Sequence, residues 1–252
     1  MIQTKNKPYI SVVVPAYNEH GKRGLLLKKN ITEIGKFFKE KNIAHEVIIV
    51  NDGSVDDTGE IAKTYANLFD ELSVIDRKEN RGKWFSVCEG LLKARGKFRM
   101  FTDADGATAI HEMEKFLPYM EKGENIIIGS RGLEESKIEK HQPKWKETLG
   151  RSGNILIQEM MGLQGIKDTQ CGFKVFSEDA VKKIVPQIKS NRFGGDFEML
   201  MLAKKMGFQI LEVPIVWHDS GQSLVTTKEY LNTFKELFQV RYRMMFGRYL
   251  YK

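Results

Sequence analysis

Short runs of apolar, mostly β-branched residues alternate along the first half of the chain with longer stretches of helical periodicity. The strand-like runs fall at 10–14, 46–50, 72–75, 98–101 and 125–128, and the helix-like stretches at 25–39, 56–66, 83–94 and 110–120. Strand, helix, strand, helix at this spacing predicts a mostly parallel sheet covered by helices on both faces, a Rossmann-like α/β arrangement. Val12-Val13-Val14 and Val47-Ile48-Ile49-Val50 are apolar without interruption, as strands buried on both sides are.

The second half is less regular. The pattern predicts a charged loop over 130–146, a helix over 148–161, a loop over 162–172, a short strand at 173–176 and a helix over 196–206 ended by Gly207. Two strand pieces, 209–213 and 215–218, flank Pro214, and a last helix starts near Thr227. No linker rich in Pro, Gly or Ser divides the chain. The expectation is therefore one α/β domain over 1–225, with 226–252 as a C-terminal basic amphipathic helix. In that helix Leu231, Phe234, Phe238, Tyr242, Met245 and Tyr249 recur at steps of three or four. Such a stripe packs on its own domain or on a second copy in a homo-oligomer, or it lies in the headgroup region of a membrane.

Polar residues gather where the strands end: Pro15-Ala16-Tyr17-Asn18-Glu19 after the first, Asn51-Asp52-Gly53-Ser54 after the second, Thr102-Asp103-Ala104-Asp105-Gly106 after the fourth. Open parallel sheets bind ligands outside the carboxyl ends of their strands, so three loops from three strands should converge on one edge.

The 252 residues are 41% hydrophobic and 29% charged, an ordinary globular composition. Forty Lys and Arg against 33 Asp and Glu leave a net charge of +7, which suits an anionic partner without choosing one. Nucleic acid ranks last, because no stacking or helix-turn-helix motif accompanies the charge. Cys88 and Cys171 lack metal-ligand spacing and read as reduced, buried thiols. The N-terminus shows no leader pattern and no apolar run reaches the roughly 20 residues a membrane span needs. The expected location is cytoplasmic, at the membrane surface if a membrane is involved.

Asp103 and Asp105, one residue apart past a buried strand, are suited to sharing a hard divalent cation, Mg2+ or Mn2+. Such a cation neutralises charge on a departing diphosphate; the competing reading is a solvated turn. Asp52 is placed to accept from a base N–H or a ribose hydroxyl, or else to form an Asx turn with Gly53 and Ser54. Lys83, at a helix start, suits a diphosphate; the alternative is an exposed first-turn lysine.

The order Val12-Val13-Val14-Pro15-Ala16-Tyr17-Asn18-Glu19, Val50-Asn51-Asp52-Gly53-Ser54, Asn80-Arg81-Gly82-Lys83 and Asp103-Ala104-Asp105-Gly106-Ala107-Thr108 resembles the family 2 glycosyltransferases. Ile128-Gly129-Ser130-Arg131 and Asp168-Thr169-Gln170-Cys171-Gly172-Phe173-Lys174 narrow the likeness to dolichyl-phosphate β-glucosyltransferases and their polyprenyl-phosphate relatives. The resemblance implies a GT-A fold and transfer, with inversion, of a hexose to a lipid phosphate, glucose from UDP-glucose being the expected donor. It implies that Pro15, Ala16, Tyr17, Glu19, Asp52 and Gly53 hold the nucleoside and that Lys83 meets the diphosphate. Asp103 would lie near ribose and metal, with Asp105 a direct ligand. Arg131 and Arg151 would grip the acceptor phosphate, and Asp168 would border the reaction centre.

Other readings stay open: GDP-mannose as donor, a saccharide acceptor using Asp168 or Asp196 as a base, or a nucleotide-sugar-binding protein without turnover. Two departures bear on them. Trp84 stands where the family usually has a small residue, and could close the pocket or pack against the donor. Relatives commonly carry a membrane-spanning helix, and no segment here reads as one.

Overall fold

The computed structural model describes residues 7–66, 71–140, 144–221 and 227–251. The first six residues, on which the leader expectation rests, lie outside these. The chain runs β1 (Ile10–Ala16), α1 (Lys22–Glu40), β2 (His45–Asn51), α2 (Thr58–Ala66), β3 (Leu72–Asp76), α3 (Lys83–Lys93) and β4 (Phe98–Thr102). A 3-10 turn (Ile110–Lys115) and α4 (Leu117–Glu121) lead to β5 (Ile126–Ser130), β6 (Lys137–Lys140) and α5 (Lys144–Met161). Then come β7 (Phe173–Ser177), α6 (Glu178–Ile184), α7 (Gly195–Lys205), β8 (Ile210–Pro214), β9 (Val216–His218) and α8 (Thr227–Met245).

Seven strands form one sheet in the order β3-β2-β1-β4-β7-β5-β8. All neighbours are parallel except β7, which runs antiparallel to β4 and β5. The expected mostly parallel sheet is what forms. Its inner strands β1, β2, β4, β7 and β5 are buried on both faces, since successive side chains point to opposite sides and helices cover each side, while the edge strands β3 and β8 are only partly buried. Val13, Ile48, Val50 and Phe101 meet α3, α5, α6, α7 and α8 on one side. Val12, Val14, Val47, Ile49 and Met100 meet α1 and the 110–121 segment on the other. Leu237 and Val240 of α8 belong to the first core, so the C-terminal helix is packed into the same domain.

Four local readings need correction. The helix expected over 110–120 is a 3-10 turn followed by α4, because Pro118 near the start of α4 has no N–H to continue the previous turn. The expected 130–146 loop contains β6, paired in parallel with β9, and the helix after it begins at Lys144 rather than 148. An unexpected helix, α6, starts where Ser177 Oγ accepts from the Ala180 amide. Cys88 is only partly buried, whereas Cys171 is buried as expected; both are free thiols. No helix among the described residues is long and apolar enough to cross a membrane.

Candidate active site

The first two loops are joined by direct hydrogen bonds. Asp52 N donates to Ala16 O at 2.9 Å, Asn18 N to Ser54 Oγ at 2.9 Å, and Glu19 N to Thr58 Oγ1 at 2.7 Å. Asn18 adopts φ 50° to make this turn, a conformation asparagine tolerates. The result is a floor in which Ala16 is buried and Pro15 and Tyr17 are half-buried.

Asp52 then organises a third segment. Its Oδ1 accepts from Arg77 Nη2 at 2.5 Å and Arg81 N at 2.8 Å, and its Oδ2 from Asn80 Nδ2 at 3.1 Å and Gly82 N at 2.8 Å. Both oxygens are therefore filled by the chain itself, and Asp52 acts on the site by fixing the loop that ends at Lys83. Gly53 is required beside it: φ is 67°, and a Cβ there would stand only 2.3 Å from the carbonyl carbon of Glu79.

Lys83 reaches across the cleft to Asp103, Nζ to Oδ1 at 2.6 Å. Its ammonium also lies over the rings of Phe101 and Phe193. Burial alone would lower its pKa, but Asp103, Asp196 and Asp105 together raise it, so the cation persists at any working pH. The loops after β1, β2 and β4 thus come together with the start of α3, as the strand-end pattern required.

The acidic pair is seated by two contacts that the sequence pattern did not single out. Asn30 of α1 donates to the carbonyls of Asp103 and Ala104 at 3.0 and 3.4 Å. Gly172, just before β7, accepts from Asp103 N at 3.2 Å, and a Cβ there would fall 2.0 Å from Asp103 Oδ2. Asp105 accepts from Ala107 N at 3.1 Å and Ser220 Oγ at 2.9 Å. Its pKa is raised by burial and by the Asp103 charge.

Glu19 is drawn up to about 7, by burial first, with Arg23 opposing and Asp105 adding to the rise. Its Oε1 takes Arg23 Nη2 at 2.5 Å, while its buried Oε2 makes no hydrogen bond. A buried Asp105 whose pKa is raised by burial and then by the Asp103 charge, with the orphaned Glu19 Oε2 nearby in the same field, fits a divalent cation at Asp103 and Asp105. Among the described residues no three His, Cys, Asp or Glu side chains converge as a complete cage. Mg2+ is usually held by one or two carboxylates with substrate phosphates and water completing its shell.

Trp84 does not close the pocket. Its indole is fully buried beneath the cleft, edge-on to Phe101 at 5.3 Å, and Nε1 donates to Asp196 Oδ2 at 2.7 Å. Gly195 leaves room for it, since a Cβ there would stand 2.2 Å from the indole. Asp196 Oδ1 takes the wholly buried Lys174 Nζ at 2.5 Å, and Lys174 also donates to Cys171 O. With both oxygens engaged and 1% of its surface exposed, Asp196 is no free base.

On the far side of the cleft Arg131 grips Asp168, Nε to Oδ2 at 2.6 Å and Nη2 to Oδ1 at 3.0 Å. The amides of Arg131 and Gln170 also donate to Asp168, each at 3.0 Å. Burial would raise the Asp168 pKa, but Arg131 and these amides carry it down to about 2. The guanidinium lies 5.4 Å over Trp217 of β9. Arg151 stands exposed on α5, and none of the contacts described ties it to this pair.

Glycosyl transferase family 2 matches residues 11–185 of the chain. A dolichyl-phosphate β-glucosyltransferase of Dictyostelium discoideum is 32% identical over 98% of this chain and 79% of its own length. The Saccharomyces cerevisiae enzyme of that name is 33% identical over 98% of this chain and 78% of its own. Among solved structures, glucosyl-3-phosphoglycerate synthase from Mycobacterium tuberculosis, in complex with Mn2+, UDP and glucosyl-3-phosphoglycerate, shares the fold with a TM-score of 0.64. It is 15% identical, with 92% of this chain and 78% of that chain covered. A mannosyltransferase from Pyrobaculum calidifontis, in complex with GDP-Man and Mn2+, has a TM-score of 0.62 at 17% identity, covering 95% of this chain and 65% of its own. By matched span, by near-full-length identity to curated relatives and by its GT-A architecture, the chain belongs to glycosyl transferase family 2.

Proposed function

We propose that this chain transfers glucose from UDP-glucose to a dolichyl or other polyprenyl phosphate, inverting the anomeric configuration in a direct displacement. The observation that carries the reading is the Lys83–Asp103 contact beside Asp105. It gathers a permanent cation and an acidic pair at the strand-end edge, where a nucleoside diphosphate sugar would lie. The names of the curated relatives supply the sugar and the lipid acceptor.

In this reading Pro15, Ala16, Tyr17 and Glu19 form the nucleoside floor. Asp52 with Gly53 acts through the 77–83 loop rather than by direct contact. Lys83 leaves Asp103 to meet the diphosphate, and Asp103 and Asp105 would hold Mg2+ or Mn2+. That ion supplies charge neutralisation for the departing diphosphate. Fixed cations aimed at developing charge are worth most where water is excluded.

The state of Asp168 and Asp196, the two carboxylates left open as bases, favours a phosphate acceptor over a saccharide. A sugar hydroxyl needs a base with a pKa near the operating pH. Asp168, at about 2, is too weak a base, and Asp196 is buried and paired. A phosphate is already anionic and needs orientation more than deprotonation. In this reading Arg131, whose Nε and Nη2 bind Asp168, would orient it through Nη1, with Arg151 of α5 as a second candidate.

The test is incubation with labelled UDP-glucose, Mn2+ and dolichyl phosphate, followed by organic extraction. The expected result is organic-soluble label that is lost on chelation and in Asp105→Asn. Label that appears only with GDP-mannose would replace the donor, and label that appears only on a saccharide would replace the acceptor. UDP binding without turnover under every condition would favour the binding-protein alternative.

A further inference from the structure

Helix α8 is apolar on two opposite faces. Leu237 and Val240 point into the core, as an amphipathic surface helix requires. The opposite face, which ought to be polar, carries Leu231, Phe238, Tyr242, Met245 and Phe246, each between 55% and 67% exposed. At 100° per residue these five side chains fall within about a 100° sector. Of the stripe read from the sequence, Leu231, Phe238, Tyr242 and Met245 face out, Phe234 is half-buried, and Tyr249 is buried with its hydroxyl on Glu198 at 2.5 Å.

The outward face is held rigidly. Glu236 accepts from the amides of Arg192 and Gly194, Arg241 donates to Met160 O, and Lys189 donates to the carbonyl of Arg248. A helix anchored on its inner side in this way cannot roll its outer apolar residues out of water.

Two adjoining grooves of about 660 and 730 Å³ run along this helix. Arg81, Lys189, Arg192, Lys235, Arg243 and Arg248 line them together with Glu236, and Arg192 also stands 3.8 Å from Glu229, so the lining keeps a basic surplus. Arg243 Nη1 is buried 3.8 Å from Glu198 and makes no hydrogen bond, while the rest of its side chain is partly exposed in the groove. Exposed aromatic and aliphatic residues flanked by basic ones complement an anionic bilayer, whose headgroups attract the cations while its interfacial region takes the rings. A second copy of the chain is the poorer occupant, because a two-fold contact through this face would set its basic rim against an identical one.

We propose that the outer face of α8 and the basic groove beside it are a docking surface for an anionic phospholipid bilayer, with phosphate headgroups seated among Lys189, Arg243 and Arg248. The helix begins beside the cleft: Glu229 lies 3.8 Å from Arg192 Nη1, and the adjoining Asn191 carbonyl accepts from Trp84 N at 2.8 Å, next to Lys83. Docking along α8 therefore brings the bilayer beside the cleft that a lipid phosphate would enter. The surface itself is argued from exposure and charge alone, and stands or falls apart from the choice of acceptor.

The test is co-sedimentation of the whole chain with phosphatidylcholine vesicles, with and without phosphatidylglycerol. Wild type is compared with Phe238→Ser/Tyr242→Ser and with Lys189→Glu/Arg248→Glu. Each variant is first checked for an unchanged UDP-induced thermal shift, which reports the donor site. The expected result is preferential binding to the anionic vesicles, with each double substitution lowering partition on the order of 10-fold or more. Equal binding to neutral vesicles, or equal binding by wild type and both variants, would overturn the proposal. So would a concentration-dependent dimer that the Phe238→Ser/Tyr242→Ser change dissolves, since that assigns the face to a second copy. Failure here with organic-soluble product still formed would refute the docking surface and leave the proposed reaction standing.

Discussion

Gly172→Ala isolates the seating of the acidic pair from the stability of the fold. Gly172 is not among the glycines with positive φ, so alanine adopts its backbone conformation without strain. The added methyl would nevertheless lie 2.0 Å from Asp103 Oδ2 and 2.4 Å from Cγ, where ordinary contact starts at 3.4 Å. The Asp103 carboxylate must retreat by about 1.4 Å or rotate out of place, and a misplacement of that order costs about 100-fold in rate. Because the group displaced is a partly exposed side chain rather than packed backbone, the melting temperature should change little. The assay is steady-state transfer from labelled UDP-glucose at saturating Mn2+, with Gly150→Ala on α5 as control, since a Cβ there meets nothing within 4 Å. Loss of activity in Gly172→Ala with the control unaffected is expected. A variant that keeps nearly full activity would show that the position of Asp103 is not critical, and the metal assignment would lose its main support.

Two further outcomes follow from the buried charges. Lys174→Met removes the ammonium from Asp196 Oδ1 inside the core and leaves Trp84 Nε1 as its hydrogen-bond donor, and should cost about 3–5 kcal/mol in denaturant unfolding; Lys174→Met combined with Asp196→Leu should recover much of that loss. Asp168, held at about 2 against an ordinary aspartate value of 3.8, contributes about 2 kcal/mol above pH 4 that disappears as pH falls through 2. Unfolding free energies measured down that range should drop more steeply for wild type than for Asp168→Asn, and parallel curves would contradict the Arg131–Asp168 pairing.

The convergence of loops was legible because two local signals coincided: an unbroken apolar run says where a buried strand lies, and the polar residues after it say which end faces a ligand. Asn51-Asp52-Gly53 and Asp103-Ala104-Asp105 could be placed at one edge on those grounds, whereas Lys83, which follows β3, was tied to them by its helix start and by the family resemblance. The direction of β7 was not legible, since Phe173-Lys174-Val175-Phe176 reads the same in a parallel or an antiparallel sheet, and only its partners β4 and β5 fix it. Nor was the role of Trp84. A large residue beside a candidate ligand suggests a wall, whereas its partner Asp196 lies 112 positions away and turns it inward. Taken singly, Asp196 reads as a candidate base and Lys174 as one residue of a motif, and only their mutual contact, which permits their burial, shows that they are a buried pair.

Helix α8 shows the limit most clearly. A period of three to four identifies an apolar stripe but carries no information about what the stripe faces. Leu231, Phe238, Tyr242 and Met245 make one continuous row, and Leu237 and Val240 begin another on the other side. Which row is interior depends on the anchors that fix the helix, and those are long-range: Glu236 on the 192–194 amides, Arg241 on Met160, and Tyr249 on Glu198. Once these turn Leu237 and Val240 inward, Phe238 and Tyr242 have no place in the domain. A row of large apolar residues kept in water by such constraints is costly unless something covers it. The basic groove alongside narrows that covering to an anionic surface, an inference that requires knowing both faces of the helix at once.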